Sequence, residues 1–87
     1  MTKDNIPTYA IVELLIRLAP IDPHIGDYKD HAVYTDAVIV KTTQGHITFL
    51  KALIKQQFNH PDLITEAELK EAALTFKPAA KSNLRKA

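Results

Sequence analysis

The sequence predicts an α+β domain in which a helix, a β-hairpin and two further helices follow one another, the helices packed on one face of a small antiparallel sheet. Three observations carry this reading. Tyr9 to Ala19 is almost uninterruptedly apolar, 32–49 is dense in β-branched residues around a turn, and 50–76 holds two segments with helical periodicity. The competing reading is an all-α, four-helix chain in which Tyr28 to Thr43 is one long helix capped by Gly45.

The first helix runs from Thr8 to Ala19. Thr8 is the expected N-cap, Pro7 discourages an earlier start, and Pro20 and Pro23 end it. Between Tyr9 and Ala19 the polar residues are Glu13 and Arg17, four apart and in the favourable acid-before-base order. A helix apolar nearly all round is normally buried, yet an 87-residue chain has few elements with which to surround it. A second copy or another protein is the expected cover. Val12, Leu14, Ile16 and Leu18, turned away from the charges, are the expected contact residues, together with Tyr34. Tyrosine joins a large apolar area to a polar tip, which suits Tyr9, Tyr28 and Tyr34 to such a surface.

Pro20 to His31 reads as a loop of about 12 residues with two prolines and a glycine. From Ala32 to Thr43 the residues Val33, Thr35, Val38, Ile39, Val40, Thr42 and Thr43 favour extended structure. Thr42-Thr43-Gln44-Gly45 is a hairpin turn in which Gly45 would take a positive φ, and His46 to Phe49 returns as the second strand. Two strands alone are marginal, so the sheet needs either the cover of the helices or a third strand from elsewhere, which a partner could supply by pairing along an open edge.

Leu50, Leu53, Ile54 and Phe58 then share one face of a helix at 49–59, which places Lys51 and Lys55 on its exposed side. Asn59 to Asp62 stops it. The last helix, 66–76, has the best local signature: Thr65-Glu66-Ala67-Glu68 is a capping box, with Ile64 and Leu69 as its hydrophobic staple. Pro78 closes it. The organisation is therefore a lead-in at 1–7, one domain at 8–77, and a basic tail at 78–87.

Chemistry is sparsely signalled. The chain has no cysteine, which excludes disulfides and thiolate metal sites. Its one serine, Ser82, lies in the tail, no Gly-x-Ser-x-Gly elbow exists, and two glycines cannot make a phosphate-cradling loop. The four histidines lack a nucleophile to serve. His24, Asp27 and His31 are the weak candidates for a metal site, alongside Asp22, Asp30 and Asp36, but their spacing fits no metal motif and suits a solvated acidic loop. The expectation is a non-enzymatic protein with no metal and no cofactor.

Net charge is +1: residues 1–44 sum to −2 and residues 45–87 to +3. So mild a balance disfavours a dedicated nucleic-acid surface. The alternative function is nevertheless an accessory nucleic-acid binder that uses Lys51 and Lys55 with Lys77, Lys81, Arg85 and Lys86. The polar N-terminus does not read as a signal peptide, and an apolar run of about 11 residues falls short of the roughly 20 of a membrane span. A cytoplasmic interaction module that forms a homo-oligomer, a dimer, is the reading these features favour.

Overall fold

A computed structural model describes residues 6–79, which run α1 (Thr8–Leu18), β1 (Tyr28–Val33), β2 (Ala37–Thr42), β3 (Gly45–Leu50), α2 (Lys51–Asn59), a 3-10 turn (Pro61–Leu63), α3 (Glu66–Ala73) and β4 (Lys77–Pro78). The strands form one antiparallel sheet in the order β1-β2-β3-β4. The fold is α+β, and Tyr28 to Thr43 is two strands, so the all-α alternative is set aside.

The hairpin of β2 and β3 forms where the β-branched run predicts it, with Val38 opposite Phe49 and Val40 opposite Ile47. These four point to the helical side and are fully buried. Thr42 organises the turn: its hydroxyl accepts the N–H groups of Gln44 (3.2 Å) and Gly45 (3.1 Å) and donates to the Ile25 carbonyl. This ties the loop after α1 to the hairpin. A positive φ was expected at Gly45 but falls at Gly26 (φ 89°) in that loop. Gly45 is required for another reason: a Cβ there would lie 2.1 Å from the Lys77 carbonyl oxygen and 2.8 Å from Pro78 Cα, both backbone atoms of β4. Gly45→Ala is therefore expected to push β4 off the sheet and cost about 1–3 kcal/mol. Urea unfolding measures this, and an unchanged midpoint would mean that β4 adds nothing to stability.

Two strands arise from segments read differently in the sequence. Tyr28 to His31, assigned to the loop, belongs to β1, which adds a third strand beside β2. Lys77 and Pro78 form β4 opposite His46 and Gly45, and the Ala79 N–H donates to the Gln44 carbonyl at 2.8 Å. The folded unit thus extends past residue 77, and at its other end Ile6 packs against the core.

All three helices cover one face of the sheet. α1 buries Ala10, Ile11, Leu14, Leu15 and Leu18. Its N-cap is Pro7, without a side-chain hydrogen bond, so Thr8 begins the helix and does not cap it. α2 turns a different face inward from the one its apolar residues suggest. Leu53 and Ile54 are buried beside Lys51 and Gln57, while Leu50 and Phe58 are exposed.

The capping box of α3 forms as read: the Glu68 N–H donates to the Thr65 hydroxyl (3.2 Å) and the Thr65 N–H to the Glu68 carboxylate (2.9 Å). Ile64 and Leu69, the staple pair, both join the core. The helix ends at Ala73, three residues early, and Phe76 returns to pack on the core from the connection to β4. Thr65→Ala should cost about 1 kcal/mol. A shift in urea midpoint with unchanged slope would show it, and no shift would mean that the box is redundant with the packing of Leu69.

Candidate interaction surface

α1 has more apolar surface than the other described residues cover. Tyr9, Val12 and Ile16 recur at helical spacing on its outer side; Ile16 is 65% exposed, Tyr9 56% exposed and Val12 half-buried. The Tyr9 ring meets the Phe58 ring of α2 edge-to-face, with centroids 5.8 Å apart, and Phe58 is itself 49% exposed. The result is a stripe from Tyr9 to Ile16, widened by Phe58 at one end.

The stripe rests on a rigid base. Arg17 Nη1 donates to Gln57 Oε1 at 2.7 Å and to the Pro61 carbonyl at 2.9 Å, and Gln57 Nε2 donates to Glu13 Oε1 at 3.3 Å. The two charges of α1 are joined through this buried amide, which locks α1 to α2 and to the turn at Pro61. A polar side chain so buried is costly unless partnered, and Gln57 is partnered on both its amide groups. Helical spacing does place Gln57 one turn after the buried Leu53 and Ile54, but its polarity points the other way; Arg17 and Glu13, which need a partner once the helix packs, are the signal that resolves it.

The expected contact residues therefore divide. Leu14 and Leu18 are fully buried within the chain and belong to its core, because α1 turns its Glu13–Arg17 side toward α2 and its opposite side into the sheet. Ile16 and Val12 remain on the outer stripe. Tyr34 is 56% exposed beside the β1–β2 turn, away from α1 in the chain, and Tyr28 donates to or accepts from His31 Nδ1 at 2.8 Å.

The edge strand β1 and the part of β3 that β4 leaves unpaired are both guarded. On β1, a register irregularity between Tyr28 and Asp30 makes a bulge at Lys29, and the Asp30 carboxylate accepts the His31 N–H at 2.8 Å. Bulges and edge charges obstruct pairing with another strand. On β3, the Thr75 hydroxyl lies 3.0 Å from both the N–H and the carbonyl of Thr48, continuing the cover where β4 ends.

The remaining candidates are dispersed. His24, Asp27 and His31 do not converge: among the described residues no group of three or more His, Cys, Asp or Glu side chains could hold a metal ion. Of the lysines assigned to one basic helix face, Lys55 is exposed but Lys51 is buried at the start of α2. Lys77 lies in β4, while Lys81, Arg85 and Lys86 fall outside the described residues. A concavity of about 410 Å³ opens between β3, α2 and α3, lined in part by Leu53, Ala72, Glu68 and Glu71. Among the described residues no helix is long and apolar enough to cross a membrane. Compared with known protein families, curated proteins and solved structures, the chain has no significant match.

Proposed function

We propose that this chain is a small non-enzymatic interaction module of the cytoplasm, an adaptor or regulator that dimerises through the outer stripe of α1. The observation that carries the reading is the exposure of Tyr9, Ile16 and Phe58 on the outer side of α1 and the adjoining end of α2, flanked by Val12 and by the exposed Glu13. Apolar side chains left together in water favour a partner, whereas single exposed ones need no explanation. A two-fold axis beside Val12 would set two α1 helices antiparallel, with Tyr9 of each copy against Ile16 of the other, the self-complementary arrangement of a symmetric dimer. The guarded edges of β1 and β3 make continuation of the sheet the weaker route.

The absence of cysteine makes a direct test simple. A Val12→Cys variant should form a disulfide-linked dimer under mild oxidation, because residues beside the axis approach within bonding range. Val33→Cys, on the edge strand, should stay monomeric. The reverse pattern would place the contact on β1 and refute the helix-to-helix dimer.

A further inference from the structure

We infer that the face of the sheet opposite the helices, which the described residues leave open at its β2–β3 turn end, is a docking surface for the phosphodiester backbone of nucleic acid, read without regard to base sequence. The register brings charge into line there. Asp30 lies opposite Lys41, Lys41 opposite His46, and His46 opposite Lys77, one residue from each of the four strands. Cross-strand partners point to the same face. Lys41 lies between the buried Val40 and Thr42, so this row projects away from the helices. Lys41 and Lys77 are exposed, His46 is half-buried between them, and Lys29 borders the same shallow depression.

At a strand spacing of about 4.8 Å, Lys41, His46 and Lys77 span about 10 Å as a straight basic ridge. The negative end of the row is partly engaged, since the Asp30 carboxylate accepts the His31 N–H. The Ala79 N–H donates to the carbonyl of Gln44, the residue just before β3, and Lys81, Arg85 and Lys86, which follow in the sequence, lie outside the described residues.

Charge complementarity selects a polyanion. Its nature follows from the neighbours at this end: Thr43 and Gln44 at the turn are polar, while the apolar residues of the same face, Ala37, Ile39 and Leu50, lie toward the other end of the strands. The charged end therefore presents no apolar group to enter an acyl region. The helices, which could enter a groove and read bases, lie on the opposite face, so contact is with phosphates alone. The basic surface moves from the helix that Lys51 and Lys55 suggest to the sheet, and this inference does not depend on dimerisation through α1.

The test uses the full chain and fluorescence anisotropy of a labelled DNA duplex of arbitrary sequence, titrated between about 50 and 200 mM salt. Binding is expected at the low end, equal on an unrelated sequence, with affinity falling linearly in logarithmic salt. Replacing both Lys41→Gln and Lys77→Gln should reduce that slope by about 2, each single replacement by about 1, and Lys55→Gln should leave it unchanged. Asp30→Asn should tighten binding. Circular dichroism confirms that these surface variants stay folded. Three results would each overturn the proposal: no binding at low salt, an unaltered slope in the double variant while removal of 80–87 abolishes binding, or binding to phosphatidylserine vesicles with no binding to the duplex.

Discussion

Leu14→Ala is expected to lower the folding free energy by about 2–5 kcal/mol, the range for emptying a well-packed leucine site. Leu14 is fully buried, in a cluster that joins α1 to the sheet through Val38, Val40, Ile47 and Phe49. A domain of this length has roughly 4–13 kcal/mol in all, so this one truncation removes a large part of its stability. Two positions within one turn of the same helix carry the contrast. Ile16→Ala, at a site 65% exposed, should change the stability of a single chain by no more than about 0.5 kcal/mol. Urea unfolding at low protein concentration separates the two. Comparable losses at both positions would mean that α1 is rotated from the packing described above.

Ile16→Asp is expected to abolish self-association while leaving each chain folded. In an antiparallel α1 pair, Ile16 is desolvated against Tyr9 of the other copy, and a carboxylate there would be buried without a partner. Such burial costs several kcal/mol per ion and occurs twice in a symmetric dimer, enough to dissociate an ordinary protein contact. In the free chain the same carboxylate faces water at almost no cost. Circular dichroism should be unchanged, and sedimentation velocity should show the slower species alone. An unfolded Ile16→Asp chain would mean that Ile16 helps hold the monomer together, contrary to its exposure.

Elements whose causes are local were legible in the residues. The bounds of α1 follow from Pro7 and Pro20, the hairpin from its β-branched runs, and the start of α3 from Thr65 and Glu68. What escaped depends on distant partners. β1 is largely exposed on both faces and bulged at Lys29, so no alternation of apolar residues announces it. β4 is two residues long and exists because Gly45 leaves room for the Lys77 carbonyl. The inward face of α2 was misread because a buried Gln57 looks like a surface residue until Arg17 and Glu13 are placed against it.

The exposed stripe proposed as an interaction surface was half legible for the same reason. A helix apolar nearly all round reports an excess of apolar surface but not its direction. Glu13 and Arg17 were natural markers of the solvent side, yet both turn to Gln57, which carries Leu14 and Leu18 inward and leaves Ile16 outside with Tyr9. The row of Lys41, His46 and Lys77 could not be read at all without the register, since 36 positions of sequence separate its ends.

The most direct test of the central claim is the molar mass in solution, by size-exclusion chromatography with light scattering at two protein concentrations, for the native chain and for Ile16→Asp. Self-association through α1 predicts twice the 9.7 kDa chain mass for the native protein and 9.7 kDa for the variant. A native chain of 9.7 kDa at both concentrations, or a variant that remains at twice that mass, would contradict it.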